Sequence, residues 1–234
     1  MKKLVFGIAL VAMATVAFAS CARHCPADDF EVEYVDGGRS LWIISYIGNN
    51  REVRIPPRIR NLPVTHIGSG AFANKNLTSV TIPLNVIYIK RDAFFHNQLT
   101  NLTIPNSVTD IWTGAFAHNQ LVSVTISNSV TNIGTEAFRS NQLTSVIFGN
   151  SVTYIRTGAF ANNQLSSITI PDSVTRIDQE AFANNQLSSI FIPDSVTYIG
   201  WEAFRYNQLT NATIPRGANV DPQAFDPEVT VIRR

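Results

Sequence analysis

Seven Ala-Phe pairs spaced 22 residues apart constrain this chain more than any other feature. They stand at Ala71-Phe72, Ala93-Phe94, Ala115-Phe116, Ala137-Phe138, Ala159-Phe160, Ala181-Phe182 and Ala203-Phe204, and an eighth, Ala224-Phe225, follows after 21 residues. Other columns keep step. Asn-Gln-Leu begins at Asn97, Asn119, Asn141, Asn163, Asn185 and Asn207, and Ser-Val-Thr begins at Ser107, Ser129, Ser151, Ser173 and Ser195. A fixed period of this length is the mark of a solenoid. One unit cannot bury its apolar face alone, so neighbours stack and share a continuous core.

The residues of one unit suggest how it folds. In Leu99 to Gln120, Leu102 and Ile104 flank Thr103, which is the alternation of a strand. Pro105 ends that run, because it has no N–H to give to a ladder. Val108-Thr109 and Ile111 are rich in β-branched side chains and suit a second short extended segment. Gly114-Ala115-Phe116, with Asn119, reads as a helical turn and its exit. Twenty-two residues leave no room for a strand, a full helix and two loops. The expected fold is therefore an α/β repeat: a right-handed solenoid with parallel β-strands and short helical or 3-10 turns. The asparagine column Asn97, Asn119, Asn141, Asn163, Asn185 and Asn207 is predicted to lie inside the coil as a structural ladder, its amides satisfying backbone groups. Lys75 occupies that column in the first unit, which predicts an open edge there.

The flanks divide the rest of the chain. Lys2 and Lys3 precede an uncharged run from Leu4 to Ala19. That run is shorter than the roughly 20 residues of a membrane span, so residues 1–20 read as a secretory signal peptide. Two cleavage patterns overlap. Ala17-Phe18-Ala19 would release a soluble chain, whereas Phe18-Ala19-Ser20-Cys21 resembles a lipobox, with Phe18 where leucine is usual, and makes Cys21 a lipidation candidate. Residues 21–29 read as a flexible leader. Residues 30–67 read as an N-terminal β cap, because Phe30-Glu31-Val32-Glu33-Tyr34 alternates, Asp36-Gly37-Gly38 turns and Leu41-Trp42-Ile43-Ile44 follows. Residues 68–214 form the solenoid. Residues 215–234, with Pro215, Pro222 and Pro227, read as an irregular C-terminal cap. No second long apolar run exists, so membrane contact is expected only through a lipid on Cys21.

Charge and motifs narrow the function. Lys plus Arg total 18 and Asp plus Glu total 17; loss of Lys2 and Lys3 would leave 16 minus 17, or −1. That balance argues against nucleic acid, which requires a basic face. The phosphate-binding, dinucleotide, zinc-protease and nucleophile-elbow motifs are absent, and no histidine recurs beside the abundant Ser and Thr, so no enzyme and no cofactor is expected. His96 and His118 share a column and are expected about 5 Å apart, but two histidines do not complete a zinc site, and no metal is predicted. Asp92, Glu136, Glu180 and Glu202 share the column before Ala-Phe, where anions would favour the starts of short helical turns.

Candidate contacts are the large apolar side chains that break polar columns. The column Thr81, Thr103, Thr125, Ile147, Thr169, Phe191 and Thr213 is interrupted by Ile147 and Phe191, and Val122 interrupts the column of Thr100 and Thr144. Tyr88, Tyr154 and Tyr198 share the column after Val-Thr or its equivalent, with Trp112 and Trp201 nearby. Tyrosine and tryptophan are enriched at recognition surfaces.

These columns resemble the BspA-like, or Treponema pallidum-type, class of leucine-rich repeats. The match rests on Ile104-Pro105, Ser107-Val108-Thr109, Ile111 and Ala115-Phe116, and on Ile55-Pro56, Leu62-Pro63-Val64-Thr65 and Ile67-Gly68 ahead of Ala71-Phe72. It spans about residues 30 to 225. Many members carry Cys where this chain has Asn141 or Asn163. The resemblance implies a surface or secreted bacterial protein that mediates adhesion, often to host matrix proteins or bacterial surface proteins; the alternatives are a structural envelope protein that self-associates and a carbohydrate-binding module. It supplies no shared contact residues.

Overall fold

The computed structural model describes residues 24–234; residues 1–20, read above as a signal peptide, and the lipidation candidate Cys21 lie outside them. The chain winds into stacked coils, one per repeat. The parallel strands Tyr88–Ile89, Asp110–Ile111, Asn132–Ile133, Tyr154–Ile155, Arg176–Ile177, Tyr198–Ile199 and Asn219–Val220 follow one another without a break, each hydrogen-bonded to the next. Their two-residue length has a simple cause. Each strand needs only one inward isoleucine, and Ile89, Ile111, Ile133, Ile155, Ile177 and Ile199 are fully buried. At the N-terminal end, Leu62–Ile67 and the antiparallel hairpin of Phe30–Val35 with Ser40–Tyr46 continue this long sheet.

The stretch whose alternation looked most strand-like behaves differently. Leu102-Thr103-Ile104 lies outside the ladders, as do residues 167–170. The corresponding face is covered by three separate small sheets. Glu52–Arg54 pairs with Ser79–Thr81, and Ser123–Thr125 pairs with Ser145–Ile147. Asn211–Ile214 lies between Ser189–Phe191 and Thr230–Arg233.

The expected helical or 3-10 turns appear as single i→i+3 turns that do not extend into helices: Ala115 N donates to Trp112 O at 3.2 Å and Ala117 N to Gly114 O at 3.0 Å. Among the described residues the 3-10 helices are Ala27–Asp29 and Asp36–Gly38, both ahead of the repeats. In the repeats, Gly70, Asp92, Gly114, Glu136, Gly158, Glu180 and Glu202 all have φ between 52° and 64°. This left-handed backbone is incompatible with a helix start. Alternate amides of the turn instead reach along the solenoid axis: Gly114, Phe116 and His118 donate to the carbonyls of Thr135, Ala137 and Arg139 at 2.9, 2.8 and 2.9 Å. The carboxylates therefore meet no helix dipole. Arg139 pairs with Glu136 at 3.2 Å and with Glu180, two coils on, at 3.3 Å. It passes Gly158, whose added Cβ would lie 3.1 Å from its guanidinium.

The core is one row of rings bordered by one row of amides. Phe72, Phe94, Phe116, Phe138, Phe160, Phe182, Phe204 and Phe225 stack face to face with centroids 4.9–5.6 Å apart. Tyr46 and Phe30 of the hairpin close the N-terminal end of the row, at 5.4 and 6.2 Å from Phe72. Asn97, Asn119, Asn141, Asn163 and Asn185 are buried beside the rings, and Asn207 is half-buried. The Asn141 Nδ2 donates to Phe116 O at 3.0 Å and Phe138 O at 3.1 Å, and its Oδ1 accepts from Leu121 N at 3.0 Å. The other five repeat the pattern. At the head of the column, Lys75 is exposed and its N–H donates to Asn97 Oδ1.

Both ends are more ordered than the sequence suggests. Cys25, in the leader, is buried and its N–H donates to Arg54 O at 2.9 Å. Residues 215–234 form the strands Asn219–Val220 and Thr230–Arg233, which extend the long sheet and one small sheet. Ala218, Ala224 and Phe225 keep the repeat's burial pattern despite the prolines.

Candidate binding surface

Because each isoleucine of the long sheet points inward, the residue before it points outward. The ladder therefore lines up Trp42, His66, Tyr88, Asp110, Asn132, Tyr154, Arg176, Tyr198 and Asn219 as one surface row. A second row stands two residues further along each coil: Lys90, Trp112, Gly134, Arg156, Asp178 and Gly200. Gly134 and Gly200 belong there for steric reasons. A Cβ at Gly134 would fall 2.4 Å from Thr113 N, and one at Gly200 would fall 2.7 Å from Gln179 N.

The side chains of these rows interlock. The His66 ring lies 4.8 Å from Tyr88 and 6.3 Å from Trp42. Lys90 Nζ sits 4.0 Å from the Trp112 ring centre and 4.9 Å from that of Tyr88. Further along, Arg176 stacks over Tyr198 at 4.0 Å while also pairing with Asp178, and Arg156 lies 5.9 Å from Tyr154. Such cation–π contacts hold rings and charges in fixed attitudes. Trp112 and Tyr154 nevertheless remain 42% and 45% exposed. The result is a rigid strip alternating aromatic faces with cations, with Asp110 and Asn132 between its two aromatic ends.

His66 is the titrating member of the strip. Partial burial, then the nearby Lys90 charge, hold its pKa below the ordinary histidine value, with Asp36 opposing. The folded state therefore binds a proton less readily than the unfolded chain. Stability is full above the unfolded value of about 6.5 and is lost as the pH falls through the lower folded value. Urea unfolding at pH 7.5 and pH 5 should show this loss, and His66→Gln should diminish it. An undiminished loss in that variant would assign it to other groups.

The eight contact residues picked from the sequence do not form one site. Tyr88, Trp112, Tyr154 and Tyr198 lie on the long-sheet strip. Trp201 stands in the following turn, where its indole N–H donates to Gln223 Oε1 at 2.8 Å. Val122, Ile147 and Phe191 are 45%, 63% and 56% exposed, but Ile147 and Phe191 end strands of two different small sheets, and Arg234 covers the Phe191 ring at 4.2 Å. Trp42, His66, Lys90, Arg156 and Arg176 were missed. Three of them carried a signal: Lys90 and Arg156 follow Tyr88 and Tyr154 by the two-residue period of a strand, and Arg176 falls in the 22-residue column of those tyrosines.

His96 and His118 are exposed, with ring centres 6.4 Å apart, and both have left-handed backbone. Among the described residues no group of three or more His, Cys, Asp or Glu converges as a metal site. None of their helices is long and apolar enough to cross a membrane.

Comparison with known proteins adds to this geometry. A sequence signature described as a BspA type leucine rich repeat region matches in six copies over residues 65–186 and 113–230. No curated protein matches the chain. Among solved structures, a Treponema pallidum leucine rich repeat protein is 19% identical, with a TM-score of 0.54 over 90% of this chain and 86% of that one. A leucine rich cell surface protein from Faecalibacterium prausnitzii is 22% identical, with a TM-score of 0.52 over 88% of this chain and 75% of that one. The pneumococcal vaccine antigen PcpA is 21% identical, with a TM-score of 0.52 over 80% of this chain and 48% of that one. At these identities the likeness is one of fold.

Proposed function

Since the chain belongs to the BspA-type leucine-rich-repeat family, we propose that it is a non-catalytic binding module that recognises another protein through the strip on its long sheet. The observation that carries this reading is the pair of rows from Trp42 to Tyr198, where the half-buried rings of Tyr88 and Tyr198 and the exposed rings of Trp112 and Tyr154 lie against cations on a ladder of strands. A preordered surface loses little entropy on binding, and Trp, Tyr and Arg are the side chains that most often dominate interface energy. The basic start and apolar run of residues 1–20 support export. The Faecalibacterium relative, a cell surface protein, supports a site of action at the bacterial surface, with Cys21 as the candidate anchor. The partner fitting that location is a host matrix protein or a surface protein of another bacterium.

The test is binding of the purified chain to immobilised extracellular-matrix and bacterial surface proteins. Trp112→Ala with Tyr154→Ala should weaken binding by about thirtyfold, or about 2 kcal/mol, whereas Ile147→Ser, on another face, should leave it unchanged. The reverse pattern would remove the strip from the site. A second reading, glycan binding, is favoured by the exposed Trp112 ring beside Asp110, Asn132 and Gly134. A glycan array that captures the wild-type chain but not Trp112→Ala would select it.

A further inference from the structure

We propose that the segment of the partner protein seated on the long-sheet strip is a proline-rich stretch in the polyproline II conformation, running along the solenoid axis with a proline at every third residue. This rests on the strip being the binding surface and adds which kind of backbone that surface fits.

Two periods coincide. Each coil step along the ladder is about 4.8 Å, so two steps are about 9.6 Å. One turn of polyproline II is three residues of about 3.1 Å each, or about 9.3 Å. From Trp112 onward the strip carries its rings at that doubled step. The ladder pairs Tyr154 with Arg176 and Arg176 with Tyr198, so these tyrosines are two steps apart. Ile111, beside Trp112, pairs with Ile133, and Ile133 with Ile155, so Trp112 precedes Tyr154 by two steps as well. Trp112 stands two residues further along its coil than the tyrosines do along theirs, and the line of rings therefore crosses the ladder obliquely. Along the axis, Trp112 to Tyr198 is about 19 Å. The outer prolines of Pro-x-x-Pro-x-x-Pro are also about 19 Å apart in polyproline II. Gly134, in the row of Trp112, leaves the step between Trp112 and Tyr154 without a side chain in that row. Arg176, 4.0 Å over Tyr198, widens the last platform with its own flat guanidinium.

Hydrogen-bonding capacity points the same way. Proline has no N–H, and polyproline II makes no internal hydrogen bonds, so a proline-rich segment presents mainly carbonyl acceptors. The strip is rich in donors. A guanidinium has five N–H groups; Arg156 directs its Nε to Asn132 Oδ1 at 3.1 Å, and Arg176 directs its Nε to Asp178. The acids are engaged from within. Asp110 accepts from Thr109 Oγ1 at 2.6 Å and from Asn132 Nδ2 at 3.5 Å, and Asp178 accepts from Arg176. A sugar, whose hydroxyls donate as well as accept, would need those acceptors. An added β-strand would need an open ladder edge, whereas the strip is a sheet face. Tryptophan and tyrosine rings are the surfaces on which proline-rich segments dock, with little entropy lost because their helix is preformed.

Fluorescence anisotropy with two labelled peptides of equal composition tests this. One carries Pro-x-x-Pro-x-x-Pro and the other carries its prolines at every fourth residue. The purified full chain should bind the first about tenfold or more tightly than the second, because the second brings only one ring at a time into register. Trp112→Ala should weaken binding of the first about fivefold or more, and Ile147→Ser should leave it unchanged. Both replace exposed side chains and should melt like wild type. Equal affinity for the two peptides, no binding of either, or indifference to Trp112→Ala overturns the proposal. Capture of a glycan by a chain that ignores both peptides overturns it too. Failure here is separable from failure of the strip. Binding to a matrix or surface protein that falls in Trp112→Ala with Tyr154→Ala, yet is not competed by the first peptide, keeps the strip as the site and removes the proline-rich segment from it.

Discussion

Asn141→Leu is expected to destabilise the protein by about 3–5 kcal/mol. The number follows from what its amide does. The Nδ2 bridges Phe116 O and Phe138 O, and the Oδ1 accepts from Leu121 N. Each of those carbonyls keeps a second donor, because Asn119 also reaches Phe116 O and Asn163 also reaches Phe138 O. Leu121 N is different: without Asn141 it becomes a buried donor with no acceptor. Two lost bonds at about 1 kcal/mol each, with one orphaned amide at about 1–3 kcal/mol, give the total. Urea unfolding measures it. A loss below 1 kcal/mol would mean that the amide column is decoration.

Phe138→Ala should cost a similar amount, about 3–5 kcal/mol, and should also change the shape of the transition. Phe138 stacks between Phe116 at 5.5 Å and Phe160 at 5.4 Å and is fully buried. In a solenoid each coil is held mainly by its neighbours. A cavity at the centre therefore weakens both interfaces of one coil and should split unfolding into two phases. Phe225→Ala should cost clearly less, since Phe225 stacks on one ring and sits at the open end. Equal losses at the two positions would contradict nearest-neighbour coupling.

Much of this architecture is legible in the sequence because the same residue recurs once per coil. A phenylalanine or an asparagine that returns every 22 residues must return to the same place, so the interior rows could be read from spacing alone. Features that vary along a column were harder to read. Gly114 and Gly158 share a column with Asp92, Glu136, Glu180 and Glu202, and that mixture marks a left-handed backbone position. Taken as the start of a short helical turn, it gave the turn but not its left-handed backbone. Both extended segments of the unit were legible, but their relative weight was not. Leu102-Thr103-Ile104 alternates visibly, whereas a two-residue strand such as Asp110–Ile111 is too short to show a period, yet the short strands make the unbroken sheet. The surface was only half legible. Tyr88, Trp112, Tyr154 and Tyr198 stood out as aromatics, but Lys90 and Arg176 become part of the strip only when coils stack and bring cations over rings. Cys21 and residues 1–20, read from the sequence as a signal peptide, lie outside the described residues.

The most direct test of the stacked register is distance measurement by double electron–electron resonance between spin labels on the long sheet. Labels replacing Tyr88 and Tyr198 stand five coil steps apart, which predicts a narrow distribution near 24 Å for backbone positions at about 4.8 Å per step. Moving the second label to Asn219 should lengthen it by about one further step. Broad distributions, or a separation that does not grow from Tyr198 to Asn219, would contradict the in-phase coils on which the surface strip and both interior rows depend.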